Sequence, residues 1–151
     1  MTESKQFCTF HVGDLFFGVE VRLVQEVIRY QEMTRVPLAS PEVGGLINLR
    51  GQIVTAVDLR RRLGLADRAT ERVPMNVVVR TDDGAVSLLV DEIGDVLDAD
   101  PSTFEPAPAT ITGDVRELVT GVHKLDRRRL LLLLDTARAA GAAAAAAGVP
   151  A

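Results

Sequence analysis

"GGLINLRGQIVTAVDL", residues Gly44 to Leu59, decides the fold class. Apolar residues alternate through Leu46 to Arg50 and Ile53 to Leu59, the two-residue period of half-buried strands. Gly51-Gln52 lies between them, and glycine admits the positive φ that a two-residue hairpin turn needs. The segment therefore predicts a tight β-hairpin. Arg50, beside Asn48, places a guanidinium at the edge of a run that otherwise reads as buried sheet.

The same pattern extends in both directions. Gln6 to Val12 puts Cys8, Phe10 and Val12 on one face, and Gly13-Asp14 turns the chain into a second strand over Leu15 to Glu20. Val21 to Arg29 changes period. Val21, Val24 and Ile28 fall at i, i+3 and i+7, Leu23 and Val27 widen the stripe, and Arg22, Gln25, Glu26 and Arg29 stay polar. That spacing predicts a short amphipathic helix. Further on, Arg60 to Leu63 reads as a helical turn stopped by Gly64, and residues 65–74 as a charge-rich irregular stretch. Met75 to Arg80 and Ala85 to Val90 flank Asp82-Asp83-Gly84, a clear hairpin signal, and Val96 to Leu97 extends that sheet. Pro101, Pro106 and Pro108 exclude a regular interior strand. Val115 to Val122 and Leu130 to Leu134 predict a last hairpin around Lys124-Leu125-Asp126. The Ala-rich end predicts a short docked helix near Thr136 to Ala140, interrupted afterwards by Gly141, Gly148 and Pro150.

Many short strands and tight turns point to small barrels. Two hairpin-rich halves on either side of residues 65–74 point to paired modules. The 151 residues suit one domain or two very small modules sharing a core. Hydrophobic residues at 47% and charged residues at 25% are ordinary for a globular chain, and 17 basic against 21 acidic residues give a net charge of -4. That charge argues against a nucleic-acid binder. The arginine triplets 60–62 and 127–129 also lack interleaved aromatics for stacking bases. One cysteine excludes an internal disulfide, no secretory h-region follows the polar start, and Leu130 to Leu134 is too short to span a bilayer. A reducing, cytoplasmic compartment and no membrane insertion are expected.

Catalysis needs convergent titratable groups, and here they are sparse. His11 and His123 lie far apart in sequence, and Cys8 shares a face with Phe10 and Val12, as a buried inert thiol would. No nucleotide-binding, metalloprotease or C-x-x-C motif occurs. Asp91, Glu92, Asp95, Asp98 and Asp100 do not match a calcium loop and read as a solvated acidic edge. No catalytic residue, metal or cofactor is predicted. Strand edges and glycine turns remain as a surface for docking other chains.

"GGLINLRGQIVTAVDLRRRLG" resembles the signature of CheW-type chemotaxis coupling proteins, roughly G-V-x-N-L-R-G-x-I-V-P-V-x-D-L-R. "FFGVEVRLVQEVIRY" with "MTRVP", "LLVDEIGDVL", "FEPAP" and "LLLLLD" resemble further family motifs in family order. The resemblance spans residues 6–138, and 139–151 is expected to be a disordered tail. It implies a mainly β fold of two intertwined five-stranded SH3/OB-like barrels, with halves near 13–64 and 75–135 and short helices. It also implies a non-enzymatic adaptor linking cytoplasmic tips of methyl-accepting chemoreceptors to the histidine kinase CheA, through that kinase's regulatory domain. Self-association in rings and recruitment to membrane-associated receptor arrays follow from the same resemblance. The stand-alone form of the family, without an ATPase or receiver, is expected.

Position by position, the resemblance implies receptor contacts at Arg50, Gly45, Glu26, Val24, Met75, Ser87 and Val96. Of the pair on the expected helix, Glu26 is the better contact candidate and Val24 is partly core. Arg50 at a turn can present a planar fork to carboxylates or carbonyls; a local pairing with Asp58 is the alternative. Kinase contacts are implied at Glu105, Ala109 and Thr110. Ala109-Thr110 replaces an acidic-aromatic pair, Thr55 replaces a proline, Leu118 a tyrosine and His123 a glycine. The first of these leaves open a coupling protein of a non-flagellar motility or developmental system.

Overall fold

The computed structural model describes residues 5–126 and 129–141. Eleven strands and three short helices follow in order: β1 (Lys5–Val12), β2 (Leu15–Glu20), β3 (Val24–Ile28), β4 (Val43–Leu49), β5 (Gln52–Asp58), α1 (Leu59–Arg62), β6 (Met75–Thr81), β7 (Gly84–Val90), β8 (Glu92–Ala99), β9 (Phe104–Glu105), α2 (Gly113–Leu118), β10 (Val119–Lys124), β11 (Leu130–Leu134) and α3 (Thr136–Ala139).

They form a six-stranded sheet, β8-β1-β2-β11-β10-β9, and a five-stranded sheet, β3-β6-β7-β5-β4. The chain before residue 65 supplies strands to both sheets, and so does the chain after residue 74, so the halves are intertwined. Each sheet contains one parallel pairing: β11 with β2, and β5 with β7. The sixth strand, one more than expected, is the two-residue β9 beside the prolines, at a sheet edge where proline is tolerated.

Strand alternation sorts the apolar residues into three layers. Phe10, Val12, Phe17, Val19 and Leu132 of one sheet meet Val57, Val77, Val79, Leu88 and Val90 of the other in a large shared core. The Phe10 and Phe17 rings stack 5.8 Å apart inside it. The reverse face of the five-stranded sheet encloses Ile47, Leu49, Val54 and Val78. Phe7, Ala99 and Leu131 do the same for the six-stranded sheet. Burying each such side chain contributes about 1.5–3 kcal/mol, so the shared core binds the two sheets into one unit.

Four local expectations are corrected. Residues 21–29 are not a helix: a 3-10 turn at Val21–Leu23 runs straight into β3. The register slips between Val24 and Glu26, and this bulge breaks the two-residue period so that the apolar spacing imitates a helix. Residues 115–118 are helical within α2 and only Val119 onwards is strand. There the Arg116 Nη1 donates to the carbonyls of Pro108 at 3.0 Å and Ile111 at 3.1 Å, tying the helix to the preceding loop. The hairpin turn is Arg50-Gly51, not Gly51-Gln52, because Leu49 pairs with Gln52. Finally, Val96–Leu97 does not extend the sheet of the 75–90 hairpin: it lies within the eight-residue strand β8, which pairs with β1 in the six-stranded sheet. The helix expected near Thr136 to Ala140 is present as α3, with Ala139 and Ala140 buried. The remainder of the expected disordered tail, 142–151, lies outside the described residues, as do Arg127 and Arg128.

Candidate functional site

Arg50 and Gly51 occupy the turn with φ of 52° and 88°. Two positive φ values make the turn whose twist matches an antiparallel hairpin. Glycine adopts this freely, whereas arginine there costs about 1 kcal/mol or more. Asn48 offsets that cost: its Oδ1 accepts the Gly51 N–H at 2.8 Å and closes the loop. The guanidinium thus leaves the rim of the sheet on a rigid two-residue turn.

Its partner is Glu26 of β3. Nη1 donates to Oε2 at 3.0 Å and Nη2 to Oε1 at 2.9 Å, a two-pronged pair. Glu26 lies opposite Val78 of β6 and shares its face, so its stem belongs to the inner side of the five-stranded sheet. β3 and β4 are the two edges of that sheet. The bond between Glu26 and the β4–β5 turn therefore reaches from one edge of the curled sheet to the other through two long side chains. The Arg50 side chain is 81% exposed and that of Glu26 only 16%. Two of five guanidinium N–H groups are used, and three remain for a partner's carboxylate or carbonyl oxygens. The local pairing of Arg50 is thus with Glu26 and not with Asp58, which caps α1 by accepting the Arg60 N–H at 3.0 Å. Ile53, just past the turn, and Val27, next to Glu26 in sequence, are exposed apolar residues; sequence reasoning missed both, because each reads as an inward position of its element.

The other candidate positions separate. Gly45 is buried, and a Cβ there would sit 2.8 Å from the Thr34 carbonyl. Its missing side chain lets the Thr34 segment bridge onto Leu46, with bonds of 2.8 and 2.7 Å. Ser87 is wholly buried and donates to Asn76 Oδ1 at 2.7 Å, so it cannot touch a docked chain in this conformation. Val24 and Met75 are half-buried against the shared core. Val96 is exposed, but on β8 of the other sheet, opposite Cys8. Glu105, Ala109 and Thr110 are exposed, and Glu105 pairs with Lys124 at 3.2 Å.

A second charged assembly corrects the acidic-edge expectation at Asp91, whose side chain is only 8% exposed. It accepts Arg60 Nη2 at 2.7 Å, Arg68 Nε at 2.8 Å and the Gly13 N–H at 2.6 Å. Asp91 lies at the crossover from β7 to β8, Gly13 in the β1–β2 turn and Arg60 on α1. The carboxylate therefore ties the two sheets together. Burial alone would raise its pKa; the hydrogen bonds from Arg60, Gly13 and Arg68 outweigh that and hold it well below the usual carboxylate range.

His11 packs on the Phe16 ring, with 4.7 Å between centroids, and its backbone carbonyl accepts the Asp91 N–H at 2.9 Å. His123 is buried, and its Nδ1 lies 2.8 Å from Thr103 Oγ1. The same hydroxyl lies 2.9 Å from the Asp100 carbonyl. Burial, then the Lys5 charge, lowers the His123 pKa. Burial raises that of the half-buried Cys8 thiol. Among the described residues no cluster of metal-ligating side chains occurs, and no helix is long and apolar enough to cross a membrane.

Two interleaved sheets around a shared core, with a charged clasp at one rim, define a small mainly β protein whose distinctive chemistry lies at its surface. The chain belongs to the CheW-like domain family, whose model matches residues 6–143. It is 29% identical over 127 residues to the chemotaxis protein CheW of Bacillus subtilis, covering 84% of this chain and 81% of that one. To the probable chemotaxis protein CheW of Rhizobium etli it is 30% identical over 129 residues, covering 84% and 82%. The crystal structure of the scaffolding protein TtCheW from Thermoanaerobacter tengcongensis superposes with a TM-score of 0.79 at 26% identity, covering 87% of this chain and 89% of that one.

Proposed function

We propose that this protein is a non-enzymatic coupling adaptor that joins the cytoplasmic tips of chemoreceptors to the histidine kinase CheA, so that receptors control kinase autophosphorylation. The observation that carries this reading is the family match over residues 6–143. Arg50 is the receptor anchor: its spare N–H groups meet carboxylate or carbonyl oxygens on a helical hairpin, while Glu26 keeps the side chain from sampling other rotamers. The exposed Glu105, Ala109 and Thr110 belong to the contact with the regulatory domain of the kinase, and the protein acts in the cytoplasm at membrane-associated arrays. Co-sedimentation of the full chain with a receptor signalling fragment and the kinase tests this. The wild type is expected to enter the complex, and Arg50→Ala to lose receptor-dependent recruitment by roughly tenfold or more, the size of a truncated interfacial arginine. A wild-type chain that joins neither partner overturns the adaptor function. Full coupling by Arg50→Ala overturns the anchor alone.

A further inference from the structure

β3 is the least supported strand of the five-stranded sheet. It is five residues long, pairs only with β6, and its ladder is interrupted beside Glu26 by the bulge at Gln25. A carboxylate on such a strand has no intrinsic reason to stay in register with a turn on the opposite edge. β6 supplies one through its side chains. Asn76, Val78 and Arg80 alternate on the face that carries Glu26, and Glu26 lies opposite the middle one. Asn76 Nδ2 donates to the Arg29 carbonyl at 3.1 Å, just beyond the C-terminal end of β3. Arg80 Nη1 donates to the carbonyls of Arg22 at 3.3 Å and Val24 at 3.2 Å, at the N-terminal end.

The Asn76 amide is itself set by Ser87. Both are wholly buried, and the Ser87 hydroxyl donates to Asn76 Oδ1 at 2.7 Å, which turns the amide nitrogen towards Arg29. A buried amide that lost this order would leave the Arg29 carbonyl and its own N–H groups short of partners.

We propose that Asn76, oriented by Ser87, and Arg80 are positioning residues that pin β3 at both ends and so hold Glu26 where it clasps Arg50. Ser87 thereby influences the docking surface without being part of it. The inference rests on the adaptor function only for its binding consequence; the pinning itself is independent of any partner.

The experiment uses the full chain and has two arms. In nitrogen-15 spectra without any partner, the Arg50 guanidinium Nη–H resonances report the two-pronged pair, which slows rotation of the group. Asn76→Leu, nearly isosteric, and Arg80→Met are expected to release that rotation and to speed amide exchange over residues 24–29. In the second arm, affinity for the receptor fragment is measured in a double-mutant cycle. Asn76→Leu should weaken binding in the wild-type background by up to the roughly tenfold expected of Arg50→Ala, since it acts through that contact. In the Arg50→Ala background it should change binding less than twofold. Equal losses in both backgrounds, or unchanged Arg50 resonances in both variants, overturn the proposal. If Asn76→Leu does not fold, Ser87→Ala and Arg80→Met are read in the same two arms. If the wild type does not bind the fragment, the adaptor function fails and the resonances alone decide the pinning.

Discussion

Asp91 receives Arg60 and Arg68 in the seam between the sheets, while Glu26 receives Arg50 at an open rim, and the shortest arginine–carboxylate contacts, 2.7 and 2.9 Å, differ little. What separates the two assemblies is water. The side chains of Asp91 and Arg68 are 8% and 9% exposed, against 81% for Arg50. Removing one member of a buried assembly strands the others in low dielectric, whereas an exposed pair exchanges one hydration for another. The same chemistry is thus a structural tie in one place and a presenting device in the other.

Replacing the carboxylate in the seam should have the largest effect. Asp91→Ala leaves two guanidinium groups without their shared acceptor and is expected to cost about 3–5 kcal/mol in denaturant unfolding. A loss below about 1 kcal/mol would mean that the seam assembly is no more a structural tie than the pair at the rim. Arg68→Met should be milder, about 1–2 kcal/mol, because Arg60 and the Gly13 N–H still serve Asp91, and because Arg68 Nη2 has no hydrogen-bond partner among the described residues.

Acid provides a second contrast. The Asp91 carboxyl is depressed in the folded state, so its stabilisation is fully present above the unfolded carboxylate value of about 3.9 and is lost as pH falls below it towards the folded value. The stability difference between wild type and Asp91→Ala should therefore shrink on going from pH 6 to pH 2. A difference that stays constant over that range would remove the carboxylate from the account.

Arg50→Ala sits at the small end. It should change stability by about 1 kcal/mol or less, and that residue of effect should vanish in 1 M salt, which screens exposed pairs but not the seam. A loss as large as that of Asp91→Ala would mean that closure of the five-stranded sheet, and not presentation, is what the clasp does.

The different legibility of these regions has a physical basis. Alternation and glycine turns depend on neighbours in the chain, so the hairpins around Gly13, Gly51 and Gly84 can be read locally, the turn at Gly51 to within one residue. Arg50 stands out for the same reason: a charge beside a turn within an apolar run is a local anomaly. Glu26 is visible as a contact candidate but not as the partner of Arg50, because the two are 24 positions apart and meet only when the sheet curls.

Where the chain bends out of period, local reading fails. The bulge at Gln25 gives a strand the apolar spacing of a helix, and α2 hides a helix within what reads as strand. Nor does an aspartate in an acidic run announce that it is buried; Asp91 differs from Asp95 and Asp98 only because the crossover carries it into the seam. Ser87 and Asn76 look like ordinary polar residues of a hairpin until packing encloses them.

By itself, then, the sequence determined a small mainly β protein of two hairpin-rich halves and an arginine beside a glycine turn, which rest on periodicity and short-range geometry, and its family, which rests on the resemblance of its motifs. Tertiary structure alone decided how the halves interleave, which carboxylates are buried, and what holds Arg50 in place. Those depend on which strand edges meet in space, and the free energy of a charged group is set by the surroundings that folding brings to it.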